Sequence, residues 1–242
     1  MRSTFLFLFS TILVSMLLGC SSYKTKKQES QLVLPELGNV VQTQGDMFYS
    51  TVEPAGIPSW PTLKVELQQM PFNTKSYTTY ARLMQRAARI NSISYNDSLP
   101  YKPKYVRLQL TDKVALTQML NSEAHESLRE YLTADDAYKL VTGLDLALSE
   151  SELVVFLNAE AVQLQKDEYG SLKVVLINGN QQNSFFFSEL QVFDYQLSSF
   201  CWGEDVLHRK KIKNLIAEGE RCPKGTFLKA RKMEKDESYL KF

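Results

Sequence analysis

Only two histidines, His125 and His208, are available for acid–base or metal chemistry in this chain of 242 residues. His125-Glu126 begins like the helical zinc-protease motif, but Arg129 stands where the second histidine must follow one turn later. A histidine-rich metal site is therefore excluded, and we predict neither a metal nor a cofactor. Either histidine could still join a distant serine and aspartate in a catalytic triad. Because charged residues surround His125, we expect it instead to be an exposed helix residue.

Carboxylates are concentrated in the middle of the chain. Residues 114–205 hold fifteen acidic and four basic side chains, a net charge of −11, whereas residues 75–113 and residues 206–242 each carry +6. Such blocks can mark partner surfaces or attract phosphate-bearing headgroups, but more often they are solvated faces that neutralise one another across a fold. We favour the second interpretation. Two of the central acids could form a glycosidase pair, although no pattern singles out which two.

The sequence lacks the local signatures of common enzyme classes. It contains no Gly-x-Ser-x-Gly nucleophile elbow, no Walker loop and no dinucleotide-binding glycine fingerprint. Hydrolases, nucleotide hydrolases and dehydrogenases that depend on these motifs are therefore excluded.

The first twenty residues have the pattern of an export leader. Arg2 supplies a positive start, residues 5–18 are apolar, and the run ends in Leu17-Leu18-Gly19-Cys20. An ordinary cleaved signal and a membrane anchor are the alternatives, but the run is shorter than the roughly 20 residues that span a bilayer, and Ser21-Ser22 is no stop-transfer pattern. The segment resembles the type II signal peptide of bacterial lipoproteins, whose motif ends in an obligatory cysteine.

The resemblance implies that residues 1–19 are removed and that Cys20 carries a thioether-linked diacylglycerol and usually an acylated amine. Two or three acyl chains anchor a protein firmly, whereas a single chain binds only marginally. The absence of Asp after the cysteine implies sorting to the outer membrane of a Gram-negative envelope. We expect residues 20–36 to be a lipidated tether, whose polar part reaches roughly 40 Å when extended.

The two remaining cysteines are Cys201 and Cys222. Export delivers the body to an oxidising compartment, where two leftover cysteines commonly pair, so we predict a disulfide. A redox pair is disfavoured because the Cys-x-x-Cys spacing is absent, and free thiols are the other alternative.

Two features could bind a partner. Trp60 stands between Ser59 and Pro61 in a proline-rich loop, where an exposed ring could stack on a sugar or a protein. Three arginines at i, i+4 and i+7 form one stripe of a predicted helix and could contact phosphate or carboxylate groups: Arg82, Arg86 and Arg89. For Trp60 the alternative is a ring packed in the core, and for the three arginines it is a solvated helix face without a partner. In both cases we favour the alternative over a binding role.

The periodicity predicts an α+β fold with a mostly antiparallel sheet, ending in a C-terminal meander, and a few helices on one side. Asp112 and Ser149 are expected to cap helices, the latter in a capping box with Glu152 that precedes a buried run at residues 153–157. The turn at residues 178–180 is the strongest hairpin signal. Residues 37–242 are expected to form a single α+β domain.

The sequence therefore predicts a membrane-anchored envelope lipoprotein with a non-catalytic structural, assembly or binding role. Its predicted partners are the membrane, through Cys20, and an envelope protein or glycan, with no role for nucleic acid. The alternative is an envelope hydrolase that acts on peptidoglycan or glycan through carboxylates of the central block.

Overall fold

The computed structural model describes residues 34–46, 49–98 and 100–233. The predicted signal peptide, Cys20 and most of the predicted tether lie outside these residues. From Leu34 onward the chain forms one compact unit. The side chain of Leu34 already packs against the main core, and Leu37 is fully buried.

The described residues contain a ten-stranded open sheet in which every pairing is antiparallel. The strands are β1 (Val40–Asp46), β2 (Tyr49–Gly56), β3 (Leu63–Pro71), β4 (Lys104–Gln109), β5 (Tyr138–Leu146), β6 (Ala161–Lys166), β7 (Leu172–Asn178), β8 (Gln181–Phe186), β9 (Val192–Glu204) and β10 (Lys210–Ala217). Their order is β10-β9-β5-β4-β3-β6-β7-β8, and β1 pairs with β2 and β5.

Strand β5 is the branch point of the sheet. One of its edges pairs with β9 along nearly its whole length. Its other edge is shared, because β1 pairs with residues 138–140 and β4 pairs with residues 143–146. The backbone N–H of Leu110 donates to the carbonyl of Thr142 at the junction. Strands β1 and β4 thus meet end to end along β5.

Four α-helices accompany the sheet in the described residues, with a 3₁₀ turn at Glu123–His125 before the third: α1 (Thr74–Arg86), α2 (Lys113–Leu120), α3 (Glu126–Thr133) and α4 (Glu150–Leu157). The predicted caps are present. Asp112 accepts a hydrogen bond from the N–H of Ala115, and Ser149 and Glu152 form a reciprocal capping box.

Two apolar clusters lie on opposite faces of the sheet. The main core holds Val106 and Leu108 of β4 together with the buried side chains of α2, α3 and α4. The intervening residue Tyr105 points the other way, because side chains alternate along a strand. It belongs to a smaller aromatic cluster that α1 covers: Phe72, Tyr80, Met84, Tyr105, Ala147 and Phe193.

The predicted fold class, α+β with a mostly antiparallel sheet, is confirmed. The meander consists of β6, β7 and β8, because β9 leaves it to pair with β5 and β10. Helices α2, α3 and α4 lie against one face, whereas α1 lies against the other. The prediction of a buried run at residues 153–157 is wrong. Only Phe156 is buried, because a two-turn helix presents a single stripe to the core.

The predicted disulfide joins Cys201 of β9 to Cys222, with an S–S distance of 2.07 Å and a Cα–Cα distance of 5.6 Å. The segment after Cys222 runs back along β9, where Trp202 and Phe227 exchange two backbone hydrogen bonds of 2.7 and 2.9 Å. This contact lies beyond the last pairing of β9 with β5, which ends at Ser199. The disulfide therefore fastens the C-terminal segment over the otherwise open part of β9.

The disulfide is expected to stabilise the fold. Replacing both cysteines (Cys201→Ala with Cys222→Ala) should lower the free energy of unfolding by about 3 kcal/mol, since the bridge closes a loop of about 22 residues in the unfolded chain. Denaturant titration of the unlipidated body measures this. A reducing agent should destabilise the wild type by a similar amount and leave the double variant unchanged. An unfolding midpoint of the wild type that does not respond to reductant would contradict the prediction.

Candidate functional site

Trp60 is buried, as the favoured interpretation of a packed tryptophan predicts, and the alternative of an exposed binding ring is wrong. Its side chain is 5% exposed, and the indole Nε1 donates a 2.8 Å hydrogen bond to the carbonyl of Gly38. Gly38 has a φ of +83°, and a Cβ there would lie 2.9 Å from the indole nitrogen. The position therefore requires glycine both for its backbone conformation and for this close approach. The ring is part of the main core and has no free face for a ligand.

His125 is also buried, at 4% exposure, so the prediction of an exposed helix residue is wrong. Its Nε2 accepts a 2.9 Å hydrogen bond from the backbone N–H of Ser59, and its Nδ1 lies 2.9 Å from the carbonyl of Met119. This pattern places the proton on Nδ1. The ring stands 5.8 Å from that of Trp60. Both polar atoms of the imidazole hold the proline-rich loop against the end of α2.

Arg129, which occupies the position of the missing zinc ligand, has a structural role. Its side chain is buried and Nη1 donates to the carbonyls of Leu120 and Ser122, at 3.1 and 2.7 Å. These carbonyls belong to the end of α2, where the last C=O groups of a helix lack backbone partners. The cation therefore closes α2 and compensates the negative end of its dipole.

Three exposed arginines lie on α1 and directly after its C-terminus. The helix ends at Arg86, and Ala88 before Arg89 has a φ of +50°, so the predicted helical stripe does not extend to Arg89. Arg82, Arg86 and Arg89 are all exposed. Among the residues that the structure describes, none of the three makes an ion pair or a side-chain hydrogen bond. On the opposite side of the helix, Tyr80 and Met84 are buried in the aromatic cluster. We call this set of three arginines the α1 arginine face.

The helix that carries the α1 arginine face is firmly held. Asn73 forms a capping box with Ser76, since the Asn73 side chain accepts from the Ser76 N–H and the Ser76 hydroxyl accepts from the Asn73 N–H, both at 2.9 Å. The ring of Tyr80 lies 5.8 Å from those of Phe72 and Phe193. A capped helix over an aromatic cluster presents its outer side chains on a rigid backbone.

A buried ion pair lies on the same face of the sheet as the aromatic cluster. Arg107 of β4 donates from Nε and Nη2 to the two carboxylate oxygens of Asp145 on β5, at 2.6 and 2.7 Å. Asp145 is 1% exposed and also accepts a 3.2 Å hydrogen bond from Gln196. A Cβ at Gly143 would lie 1.7 Å from Oε1 of that glutamine, so only glycine admits it. The carboxylate is saturated and sealed from solvent.

Asp194 stands directly opposite Asp145 in the pairing of β9 with β5. Burial raises the pKa of Asp194 above its usual 3.8, and the nearby Asp145 adds to the rise, while Arg107 and Lys75 oppose it. Its Oδ1 accepts a 2.9 Å hydrogen bond from the N–H of Tyr195. Two adjacent carboxylates in different environments are the arrangement on which acid–base catalysis depends. Here one of the two is inaccessible.

These two carboxylates should respond differently to neutralisation. Asp145→Asn removes the partner of a mostly buried guanidinium and should cost about 3 kcal/mol of unfolding free energy. Asp194→Asn should stabilise the protein at pH 7, because burial disfavours the charged form. The raised pKa means that the wild type gains stability as the pH falls from the folded pKa of Asp194 to 3.8. The advantage of Asp194→Asn should therefore disappear across that window.

Denaturant titrations of both variants at a series of pH values test this pair of predictions. Thr142→Ser, which keeps the hydroxyl that contacts Ser198, serves as the control for a change elsewhere on β5. An advantage of Asp194→Asn that grows on acidification would show that its carboxylate is stabilised, not penalised, in the fold.

A cavity of 260 Å³ lies under the C-terminal segment. Its lining includes Asp135, Asp136, Trp202 and Arg231. Lys229 Nζ pairs with Asp136 Oδ1 at 3.2 Å across it. The volume is below the usual range for small-molecule sites, and two of the lining charges, Lys229 and Asp136, already neutralise each other.

Within residues 34–46, 49–98 and 100–233, no group of three or more His, Cys, Asp and Glu side chains is placed to hold a metal ion. None of the helices in this part of the chain has the length and apolar content needed to cross a bilayer. No protein-family model, curated protein or solved structure matches the chain.

Of the predicted binding residues, the structure places Arg82 and Arg86 on α1 and Arg89 directly after it, apart from Trp60, which is in the core on the other face. The Arg107–Asp145 pair was not predicted from the sequence. Its only local signal is a charged residue inside each of two strands otherwise rich in buried apolar side chains.

Proposed function

We propose that this protein is a lipid-anchored component of a bacterial cell envelope, sorted to the outer membrane, with a non-catalytic binding or assembly role. The α1 arginine face is its contact surface for an anionic envelope partner, protein or glycan. The observation that carries the proposal is the exposure of three arginines, without an acidic partner among the described residues, on a capped helix and directly after it.

The anchoring part of the proposal is supported by the leader and by the disulfide. Leu17-Leu18-Gly19-Cys20 has the motif of a lipidation site. The pairing of Cys201 with Cys222 suits a body that folds in an oxidising compartment, as an exported protein does.

The chemistry of the α1 arginine face suits an anionic partner. Guanidinium groups bind phosphate and carboxylate groups in a bidentate manner. Arg82 and Arg86 lie about 6 Å apart along the helix axis, and Arg89 follows the C-terminus of α1, so neighbouring anionic groups could be bound together. Since the three side chains make no described contact within the protein, their loss should not disturb the fold.

Lipidation of Cys20 is the first test. Cys20→Ala should yield unprocessed precursor or soluble protein, since the proposed anchor depends on that sulfur. Metabolic labelling with a palmitate analogue, followed by fractionation of the envelope, measures it. Cys201→Ala is the matched control and should keep the label. Label retained by Cys20→Ala would refute the anchor.

The second test concerns the α1 arginine face. A photo-crosslinker at Gln85, which is exposed between Arg82 and Arg86, should give a defined adduct in intact cells. Replacing all three arginines by glutamine should reduce the adduct about tenfold or more, because charged contacts set both encounter rate and affinity.

The matched control removes the same charge from the other end of the sheet: Lys64→Gln, Lys166→Gln and Lys173→Gln. This control should leave the adduct and the protein level unchanged. A crosslinker at Gln118 of α2 reports contacts that do not involve the face. Equal adducts in the arginine variant and the wild type would show that the face is only a solvated surface.

A second candidate function, an envelope glycan hydrolase, is favoured by one observation. Asp194 has a raised pKa and stands opposite the arginine-bound Asp145. In glycosidases, one carboxyl group with a raised pKa acts as the general acid while a second carboxylate stays ionised. The saturation of Asp145 counts against it. An abundant, folded Asp194→Asn variant with complete loss of cellular activity would favour the hydrolase over the binding role.

A further inference from the structure

The hairpin of β9 and β10 ends in two exposed aliphatic side chains. Val206 is 95% exposed and Leu207 is 66% exposed, in the turn from Asp205 to Arg209. Single exposed apolar residues are common on protein surfaces, but two adjacent ones at the end of a projecting hairpin form a small apolar point. We call Val206 and Leu207 the hairpin tip.

The turn that carries the hairpin tip is rigid. Asp205 Oδ1 accepts hydrogen bonds from the N–H groups of Leu207 and Arg209, both at 2.9 Å, and Oδ2 accepts from Nε of Arg209 at 2.8 Å. These bonds, led by that from the Arg209 backbone, lower the pKa of Asp205 to about 2. His208 closes the turn with a φ of +56°. The tip therefore cannot fold back onto the sheet to bury its side chains without breaking this set of bonds.

The base of the hairpin is fixed as well. The disulfide holds Cys201, three residues before the end of β9. On the other strand, the side chain of Asn121 accepts from the N–H of Ile212 and donates to its carbonyl, at 3.0 and 2.7 Å. The hairpin tip is thus displayed at the end of an arm that is fastened on both strands.

Basic side chains follow the hairpin tip directly. Four of the next six residues are cationic: Arg209, Lys210, Lys211 and Lys213. Residues 206–233 together hold nine basic and two acidic residues. Lys213 is exposed, and its stem lies over Gly203 on the neighbouring strand, where a Cβ would stand 2.8 Å from its Cγ. The ammonium group is thereby kept beside the hairpin.

We propose that the hairpin tip inserts Val206 and Leu207 into the interface of an anionic phospholipid membrane, while the adjoining lysines contact its headgroups. An apolar point beside a basic cluster is the composition of interfacial membrane contacts. This inference rests on the anchoring proposed above, since Cys20 places the body next to such a membrane.

The tether allows this contact. Thirteen residues separate Cys20 from Leu34, the first described residue, and they span at most about 45 Å. A body held within that distance meets the bilayer repeatedly, so a weak second contact becomes effective through a high local concentration. A convex pair of aliphatic side chains needs no complementary pocket in lipid, whereas a protein partner would have to supply one.

The test uses the body without residues 1–19, carrying Cys20→Ser and exported behind an unrelated cleavable signal. The described residues from Leu34 onward form one compact unit, so this protein is expected to fold without its leader. Leu207→Trp introduces an indole at the tip. Because the native Trp60 and Trp202 are 5% and 2% exposed, vesicles containing brominated lipid should quench only the introduced ring.

With vesicles containing about 30% phosphatidylglycerol, the emission of Leu207→Trp should shift to the blue and be quenched by brominated chains. Vesicles of phosphatidylcholine alone should give a much weaker response. The matched control is Tyr169→Trp, at an exposed position in the turn between β6 and β7, which should show neither change. Equal responses at the two positions, or none at position 207, would overturn the proposal.

Binding of otherwise native bodies to the same vesicles, measured by flotation, adds a second readout. Val206→Ser with Leu207→Ser should weaken binding at least tenfold, and Lys213→Gln should weaken it on anionic vesicles only. Lys64→Gln removes the same charge elsewhere and should have no effect. All variants should keep the thermal midpoint of the wild type, because the replaced side chains are outside the core.

The outcomes separate this inference from the proposed function. Vesicle binding through the tip by a protein whose Cys20 is never labelled would refute the anchor alone. A labelled Cys20 with no vesicle binding by the body would refute the membrane contact of the tip alone. A crosslinker at Leu207 in cells that captures a protein and no lipid would also overturn it, in favour of a protein partner.

Discussion

The structure of the body depends on β5 being shared by two strands along one edge. Strands β1 and β4 meet on that edge, and β9 fills the other, so β5 is the only described strand with three partners. Its apolar side chains are nearly all inaccessible, as expected for a central strand. Asp145 is equally buried but carries a charge, which Arg107 on β4 compensates. The ion pair therefore fixes the register of β4 against β5. A shift of one residue would place the two charges on opposite faces of the sheet.

Local patterns in the sequence predicted most elements because each depends on neighbouring residues. Asp112 and Ser149 cap helices through bonds to residues three positions away, and the alternation at residues 63–67 marks β3. The missed element is β10. A bulge between Ile212 and Asn214 interrupts its alternation of apolar and polar side chains, and its basic side chains make the segment resemble a polar loop in sequence.

The burial of His125 and the hydrogen-bond partners of His125 and Trp60 could not be predicted, because these partners are distant in the sequence. The partner of Trp60, the carbonyl of Gly38, is 22 residues away, and the partner of His125, Ser59, is 66 residues away. Composition around His125 is charged, yet its two nitrogens find backbone groups with suitable geometry. Short sequence windows report the polarity of neighbours along the chain, not the partners that the fold supplies.

The charge blocks of the sequence partly neutralise one another, as the favoured interpretation requires. Arg107 of the first basic block pairs with Asp145 of the acidic block, and Lys229 of the last block pairs with Asp136. Two groups of exposed cationic side chains are the α1 arginine face and the residues after the hairpin tip, which include Arg209 and Lys213. Helix α1 contacts the beginning of β9, where Gln191 Nε2 lies 3.0 Å from the sulfur of Met84, whereas the hairpin tip follows its end.

The thirteen residues of β9, which run from beside α1 to the hairpin tip, span at most about 40 Å at the usual rise per residue. The same strand is fixed in the middle by β5 and near its end by the disulfide. The arginine face and the hairpin tip therefore lie beside opposite ends of one fixed strand. Such an arrangement suits a protein that holds an anionic partner at a set distance from the membrane, a role in which rigidity of the sheet, not a reactive side chain, determines function.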